Sequence, residues 1–317
     1  MQFGASVWTH GSDVRRTIEQ YYKTAEVAEE LGFDTLWTGD HLVPPKQLAS
    51  KYPYSPTGAF GAAAGIRLDA LTSLAALAAR TKRIKLCTGV LVLPLRHPVL
   101  TAKMLVTLDN FSGGNRLIVG VGAGWMREEF ETLGSAPFEH RGSVSDEYIQ
   151  IFRELWTKEA PEFHGKFYQF SNVHFEPKPL GALPIWVGGN SEPALRRAAR
   201  LGDGWHALSL TVEQFATARE QLRNYCREYG TDPERLTLSL MLTMTVDPAA
   251  PSAGEAQVVG QGILRGSPQQ LAATARKFQA AGLQHLQVNA LAADAPGLEG
   301  RARGLELFGS TVLPLLR

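Results

Sequence analysis

A unit that repeats eight times along the chain constrains the fold more than any other feature. Each unit is a short apolar run, ended by a glycine or a polar residue and followed by an amphipathic stretch. Most runs are continuously apolar, which is typical of strands buried on both faces of a parallel sheet. The runs cover residues 3–7, 35–37, 84–90, 117–121, 185–187, 204–208, 236–246 and 286–289.

The stretches between the runs have the pattern of amphipathic helices. Residues 14–31 place apolar side chains on one helical face, and Gly32 follows as a stop signal. Ser191 and Ser267 each precede a first turn that contains proline, which is a good helix start. The other predicted helices cover residues 68–80, 98–110, 192–201, 212–229 and 268–281. Alternation of this kind gives a parallel sheet, and eight units favour a closed (β/α)8 barrel, an α/β TIM barrel, over a doubly wound sheet.

Three irregular segments interrupt the alternation, at about residues 42–66, 157–183 and 247–266. Irregular segments of this length in a compact domain are usually functional lids or disordered. No linker suggests a domain boundary, so we predict one barrel domain over residues 1–317 with these three insertions. The aromatic side chains of the first two insertions have two equal interpretations, pocket wall or ordinary packing: Tyr52, Tyr54, Phe60, Phe163 and Phe167.

Composition excludes several classes of protein. The chain has 32 Lys and Arg against 31 Asp and Glu, a net charge of +1, and no long basic stripe, so no nucleic-acid or anionic-membrane partner is expected. No apolar run approaches the length of a transmembrane helix, and the start of the chain does not have the pattern of a signal peptide. The two cysteines, Cys87 and Cys226, form no motif and indicate structural thiols in a reducing compartment. We therefore expect a cytoplasmic globular protein.

In a TIM barrel the active site lies at the carboxyl ends of the strands. Three histidines fall there, namely His10, His41 and His206. A histidine at such a position can also be an ordinary hydrogen-bonded loop residue, and for His10 and His206 both interpretations stay open. Asp40 and His41 share one strand-end turn and are the stronger candidates for function, although adjacent side chains point apart.

A candidate phosphate site follows the fifth run. Gly188, Gly189, Asn190 and Ser191 lead directly into a helix, where backbone N–H groups and the positive helix end can hold a phosphate. The alternative is that the glycines only permit a tight turn. The glycines of residues 120–124 do not complete a dinucleotide fingerprint, and we expect them to let a flat ring approach the barrel mouth.

Other kinds of catalytic site are absent from the sequence. It has no motif for a dedicated metal site, no serine nucleophile motif and no P-loop. Lys85, which a Schiff-base mechanism would need at a strand end, lies at the start of its run. A bound organic cofactor is therefore the natural source of reactivity.

Several ordered motifs resemble the bacterial luciferase-like flavin and deazaflavin oxidoreductases. They extend over nearly the whole chain: EELGFD (29–34), WTGDH (37–41), LPLRHP (93–98), SGGNR (112–116), GVGAGW (120–125), EEF (128–130), FEPKP (175–179), PIWVGG (184–189) and AARLGDGW (198–205). The residues that follow Trp125 look most like the branch that uses the deazaflavin coenzyme F420. Trp125 also stands where the sugar-phosphate dehydrogenase branch has a catalytic glutamate, which argues against that substrate.

The resemblance implies a (β/α)8 barrel with F420, or alternatively FMN, at its mouth. Gly89 and Val90 match a non-prolyl cis peptide under the central ring, and Ala123 and Gly124 match cofactor contacts of the fourth strand. Asp40 matches an aspartate close to the ring, and His41 a histidine beside the substrate. Gly188, Gly189 and Ser191 match the phosphate turn. Family members are often homodimers, and the residues themselves give no information on this point.

These observations leave three hypotheses open. The leading one is an F420-dependent oxidoreductase that moves a hydride between the deazaflavin and a small organic substrate, with Asp40, His41 and, less strongly, His10 as catalytic residues. The second is an FMN-dependent monooxygenase that uses reduced flavin and oxygen. The third is a barrel that binds a flavin without catalysis.

Overall fold

The strands and helices begin and end close to the predicted ones. The computed structural model describes residues 1–7, 13–55, 57–60, 65–259 and 262–317. The strands there are β1 (Gln2–Val7), β2 (Thr35–Thr38), β3 (Lys85–Thr88), β4 (Leu91–Val92), β5 (Leu117–Gly122), β6 (Phe163–His164), β7 (Gln169–Phe170), β8 (Ile185–Gly188), β9 (Gly204–Leu208), β10 (Thr237–Val246), β11 (Gln257–Val259), β12 (Ile263–Gly266) and β13 (His285–Ala292). The α-helices are α1 (Val14–Glu30), α2 (Ala70–Arg80), α3 (Pro98–Ser112), α4 (Arg127–Leu133), α5 (Arg141–Thr157), α6 (Glu192–Leu201), α7 (Val212–Tyr229), α8 (Pro268–Ala280) and α9 (Gly297–Leu307).

Eight parallel strands close into a barrel. Around the ring, β1 pairs with β2, β2 with β3, β3 with β5, β5 with β8, β8 with β9, and β9 with β10. The ring closes because β10 pairs with β13 and β13 pairs with β1. The predicted (β/α)8 barrel is therefore confirmed, and the carboxyl ends of all eight strands meet at one mouth.

Helix starts follow their capping residues. The Ser267 hydroxyl accepts a hydrogen bond from the Gln270 amide, and the Gln270 side-chain oxygen accepts one from the Ser267 amide. This reciprocal pair satisfies two amides that an α-helix leaves unpaired at its start. Ser191 occupies the same capping position before α6, but its hydroxyl makes no capping hydrogen bond. The helices α4, α5 and α9 were absent from the predicted set.

The insertions differ from the sequence-based prediction. Residues 157–183 contain the antiparallel pair of β6 and β7, and residues 247–266 contain β11 and β12. Because β12 pairs in parallel with β10, the third insertion extends the barrel sheet and is not irregular. The third apolar run is also interrupted: β3 ends at Thr88, and pairing with β5 resumes only at β4.

Large side chains fill the barrel interior, and small residues make room for them. Trp37, Cys87, Ile118 and Trp186 form a buried cluster there. A Cβ atom on Gly4 would lie 2.6 Å from the Trp37 indole nitrogen, which is closer than real Cβ contacts allow. Cys87 and Cys226 are both buried and free, as predicted. The barrel is thus a packed core, and its open working surface lies at the mouth.

Candidate functional site

Asp40 and His41 are adjacent in the turn after β2, and their side chains contact different partners. Asp40 is buried, and its carboxylate accepts hydrogen bonds from the Val92 amide at 2.9 Å and from both terminal nitrogens of Arg96 at 2.7 Å. Arg96 also donates to Asp69 at 2.6 Å. Burial alone would lower the pKa of Arg96, but Asp40 and Asp69 outweigh it and raise that pKa.

Asp40 has partners that the sequence analysis did not predict. Both carboxylate oxygens accept hydrogen bonds from Arg96, and one also accepts from the Val92 amide, so the segment after the Gly89–Val90 peptide is held against the β2 turn. The catalytic and coenzyme-binding roles of Asp40 stay predictions. No local pattern marks Arg96 as its partner, because 56 residues separate them.

His41 lies on the other side of this turn and pairs with Glu129. The His41 Nδ1 atom is 2.7 Å from the Glu129 carboxylate, whose other oxygen accepts the amides of Leu42 at 2.7 Å and Val43 at 3.1 Å. Because an ionised carboxylate only accepts, Nδ1 carries the donated proton and Nε2 is left for another partner. Glu129 is 1% exposed, whereas the His41 side chain is 16% exposed.

The environment keeps Glu129 ionised. Burial would raise its pKa, but the hydrogen bonds from His41 and from the amides of Val43 and Leu42 together lower it below the ordinary value. A histidine held in one orientation by a buried carboxylate is the arrangement that general acid and base catalysis uses. The sequence analysis missed Glu129 as a functional residue, although the EEF motif contains it.

The neighbouring Glu128 anchors the first insertion. Its carboxylate accepts the amides of Ala49 at 2.8 Å and Ser50 at 2.9 Å, and the Ser50 hydroxyl at 2.7 Å. Slight burial opposes these bonds, which together lower the pKa of Glu128 to about 2. Two consecutive glutamates at the start of α4 thus hold the insertion at two places.

Phe60 of the first insertion and Trp125, which follows β5, both contact the His41 ring. The His41 ring lies 5.0 Å from the Phe60 ring and 5.8 Å from the Trp125 ring, centroid to centroid. Tyr52 lies 5.2 Å from Phe60 and 5.1 Å from Trp125, and we call Tyr52, Phe60 and Trp125 the aromatic cage. Tyr52 and Phe60 therefore lie beside His41 and Trp125 at the mouth, and both interpretations of their role, pocket wall and ordinary packing, stay open.

The aromatic residues of the second insertion lie elsewhere. Phe163 stacks on Phe170 within the β6 and β7 pair at 6.2 Å, and Phe167 lies 5.6 Å from the His140 ring. These contacts are ordinary packing of the insertion on the barrel.

The peptide bond between Gly89 and Val90 is cis, as the resemblance implied. Val90 then projects between two strands: a Cβ on Gly122 or on Gly188 would lie 2.7 Å from a Val90 methyl carbon. At Gly124, with φ +84°, a Cβ would lie 2.7 Å from Val92. Among the glycines of residues 120–124, which were expected to admit a flat ring, Gly122 and Gly124 have Val90 and Val92 at the position that a Cβ atom would take, and the contact with a ring stays a prediction. Ala123 is half-buried beside Gly124 at the end of β5.

The turn from β8 to α6 holds the four residues of the candidate phosphate site. Gly189, with φ +120°, donates its amide to the His206 carbonyl at 3.1 Å. The Asn190 side chain donates to the Leu208 carbonyl at 2.7 Å and accepts the Leu208 amide at 3.0 Å, so it fixes the turn to β9. Ser191 is exposed and its hydroxyl does not cap the helix.

Tyr54 of the first insertion reaches this turn. A Cβ on Gly189 would lie 3.2 Å from the Tyr54 hydroxyl. Burial raises the pKa of Tyr54, and the Asn190 amide partly opposes that rise. The first insertion therefore contacts both the His41 side of the mouth and the candidate phosphate turn.

His206 does not lie at the mouth, contrary to its predicted position. It lies within β9 in the barrel interior, where its Nδ1 atom is 2.8 Å from the Ser239 hydroxyl. Ser239 is 2.9 Å from His285, which is 2.7 Å from Thr35, and we call these four residues the interior histidine chain. Burial lowers the pKa of His206 and of His285 to about 3. Both rings are therefore neutral structural groups.

His10 lies outside the described residues, and its catalytic role stays a prediction. Among the described residues, no group of three or more His, Cys, Asp or Glu side chains could hold a metal ion. In the same part of the chain, no helix is long and apolar enough to cross a membrane.

Comparison with known proteins agrees with this architecture. The profile of the family described as "Luciferase-like monooxygenase" matches residues 1–295. An uncharacterized protein of Mycobacterium tuberculosis is 40% identical over 186 residues, which cover 58% of this chain and 64% of that protein. The FMNH(2)-dependent dimethylsulfone monooxygenase of Pseudomonas fluorescens is 29% identical over 286 residues, with 76% of each chain covered.

One solved structure shows the same fold at low sequence identity. The F420-dependent secondary alcohol dehydrogenase, in complex with an F420-acetone adduct, superposes with a TM-score of 0.77 over 100% of this chain and 99% of that chain. The two sequences are 19% identical, so this likeness concerns the fold alone.

Proposed function

Because this chain belongs to the luciferase-like monooxygenase family, we propose that it is an oxidoreductase that transfers a hydride between coenzyme F420 and a small organic substrate. The observation that carries the proposal is the His41–Glu129 pair at the barrel mouth, enclosed by the aromatic cage. A buried carboxylate that orients a partly exposed imidazole serves proton transfer, which a hydride transfer to or from a carbonyl or alcohol requires.

The residues of the mouth fit a ring with a phosphate-bearing tail. Val90 lies between β3 and β4, Ala123 directly follows β5, and Gly188, Gly189, Asn190 and Ser191 precede α6. The exposed Ser191 hydroxyl makes no capping bond and is available to a phosphate at the positive end of the helix. When bound, the deazaflavin supplies or accepts the hydride.

His41 would exchange a proton with the substrate oxygen through Nε2, because Nδ1 donates to Glu129. A carboxylate on Nδ1 also balances the positive charge that the ring carries after it accepts a proton. Asp40 and Arg96 contribute indirectly: they fix the turn that carries His41 and the segment after Val90. The aromatic cage shields this region from bulk water and so strengthens the electrostatic interactions within it.

A second candidate is an FMN-dependent monooxygenase. The observation that favours it is the similarity to the Pseudomonas fluorescens relative, an FMNH(2)-dependent monooxygenase. Both candidates need the same barrel mouth and phosphate turn. A barrel that binds the coenzyme without catalysis would not need a histidine oriented by a buried carboxylate, which makes that third hypothesis the weakest.

Titration of the purified protein with F420 and with FMN, followed by coenzyme fluorescence, tests the proposal. We expect saturable binding of F420 and at least about tenfold weaker binding of FMN, a difference of about 1.4 kcal/mol. Ser191→Ala should weaken the binding of F420, whereas Ser310→Ala, an exposed serine near the carboxyl terminus, should leave it unchanged. Tight binding of FMN without binding of F420 would replace the leading candidate with the second one. No binding of either coenzyme would refute both.

A further inference from the structure

Two nitrogens of the Arg67 guanidinium group, at the barrel mouth, are left without a hydrogen bond by the part of the chain that the structure describes. Its Nε and Nη2 atoms are both buried, and neither has a hydrogen-bond partner among the residues that the structure describes. These two nitrogens lie on the same edge of the guanidinium group, where their N–H bonds run parallel. A buried donor without a partner is costly, so a pair of them on one edge indicates a ligand.

The position of Arg67 connects it to His41. Its guanidinium carbon lies 5.5 Å from the centroid of the Phe60 ring, and Phe60 in turn lies 5.0 Å from the His41 ring. Burial lowers the pKa of Arg67, and the negative charge of Glu129 partly opposes that change. The two side chains are therefore close enough to interact electrostatically. Arg67 therefore belongs to the same part of the mouth as the aromatic cage.

The acids near Arg67 already have other partners. The Asp69 carboxylate accepts hydrogen bonds from Arg96 and from the Thr72 amide. The Glu129 carboxylate accepts from His41, Leu42 and Val43. Residues 61–64, which connect Phe60 to Gly65, are Gly-Ala-Ala-Ala in the sequence and include no acidic side chain. Neither Asp69, Glu129 nor residues 61–64 therefore supplies Arg67 with a free carboxylate.

We propose that Arg67 recognises the substrate and that the substrate is a carboxylate with a flat apolar body. The two carboxylate oxygens would accept the Nε and Nη2 hydrogens side by side, a geometry that suits arginine better than lysine. The flat body would lie against the aromatic cage, with its reacting atom facing His41. This inference rests on the proposed function only in assigning the bound anion as the substrate of that reaction.

The test uses benzoate as the probe and benzamide as its neutral match, with no coenzyme present. Binding is followed by protein fluorescence and by the resonance of the Arg67 Nε group in isotope-labelled protein. We expect benzoate to bind at least about tenfold more tightly than benzamide and to shift the Arg67 resonance. Arg67→Met should weaken benzoate binding at least about tenfold, and Arg67→Lys should fall between Arg67→Met and the wild type. Arg83→Met, at an exposed arginine, is the matched control and should bind benzoate like the wild type.

Three results would overturn the proposal. The first is equal binding of benzoate by Arg67→Met and the wild type, and the second is an Arg67 resonance that does not move at saturation. The third is weaker coenzyme binding by Arg67→Met together with no binding of benzoate by the wild type, which would assign Arg67 to the acidic tail of the coenzyme. The wild-type comparison of benzoate with benzamide keeps the test decisive even if Arg67→Met does not fold. Failure of the wild type to bind any coenzyme would refute the proposed function and leave the benzoate result unaffected.

Discussion

Histidines in two regions of the barrel have opposite chemical settings. At the mouth, His41 is partly exposed and hydrogen-bonded to a carboxylate, Glu129. In the interior histidine chain, His206 and His285 are fully buried and hydrogen-bonded to hydroxyl groups. A carboxylate can balance a charged ring, whereas a hydroxyl cannot, so of these three histidines only His41 has the partner that the proposed proton transfer needs. The partner and the access, rather than the residue type, separate a reactive histidine from a structural one.

Replacement of His41 has the largest expected effect and tests the reactive side of this comparison. Under the proposed function, His41→Ala should lower kcat by roughly 10²–10⁴-fold, because a positioned imidazole contributes that much to proton transfer. Coenzyme affinity and thermal stability should change little, since His41 is not part of the core. His174→Ala, at an exposed histidine, is the control. Unchanged turnover of His41→Ala would remove His41 from the mechanism.

The ion pair behind His41 should matter to stability more than to chemistry. Asp40→Asn leaves Arg96 without its buried carboxylate and should destabilise the fold by about 3–5 kcal/mol in urea unfolding. Asp69→Asn is the matched control: Asp69 also pairs with Arg96, but its side chain is 32% exposed against 0% for Asp40. A smaller loss is expected there. Equal losses in the two variants would show that burial does not set the strength of this network.

The interior histidine chain should make the fold sensitive to mild acid. Because the folded pKa of His206 and His285 is lowered to about 3 from 6.5, protons bind the unfolded chain first as the pH falls below 6.5. Each of these two histidines should lower the free energy of unfolding at pH 5.5 by about 1.4 kcal/mol relative to its value at pH 8. The lowered pKa of Glu129 affects stability only below its unfolded value near 4.5, outside this window.

Urea unfolding between pH 8 and pH 5.5 measures this loss. His206→Asn removes one of the two titrating groups and should reduce the pH dependence by about half, whatever it does to the stability at pH 8. His174→Ala serves again as the control and should keep the full dependence. An unchanged pH dependence in His206→Asn would show that the buried ring does not resist protonation.

Replacement of Glu129 should have the smallest of these effects. It tests whether the carboxylate partner distinguishes His41 at the mouth from the histidines of the interior. The glutamine side chain in Glu129→Gln has only one oxygen that accepts hydrogen bonds. It cannot accept from His41 and also from the backbone amides of Leu42 and Val43, so the orientation of His41 is lost. We expect kcat to fall by about tenfold with unchanged KM, less than for His41→Ala, and Glu129→Asp to recover part of the loss. Thermal unfolding of both variants separates this effect from a general loss of structure. A rise in KM with unchanged kcat would assign Glu129 to substrate binding.

Much of the fold followed from the sequence because it depends on local patterns. The eight apolar runs mark the barrel strands, since a strand buried on both faces must be apolar along its whole length. Helices such as α8 could be predicted from a capping serine and a first-turn proline. The third insertion could not, because the edge pairing of β12 with β10 depends on neighbours distant in the chain.

The site was predicted only in part, for a related reason. The turn at Asp40 and His41 follows from its place after β2, but the partners Arg96 and Glu129 lie 56 and 88 residues away. These contacts bury the Asp40 side chain and leave that of His41 partly exposed. His206 was predicted at the mouth from its place in the sixth apolar run, and its depth in the barrel follows from the register with β10, which places it opposite Ser239.

Val90 fills the space beside glycines of two different strands, which links three positions that are distant in the sequence. A larger residue at Gly122 or Gly188 would meet a Val90 methyl carbon at 2.7 Å, so either change requires a smaller side chain at position 90. These three positions should therefore change together among relatives of this chain. In directed evolution, the pairwise library of positions 90 and 188 should yield folded variants that neither single-site library contains.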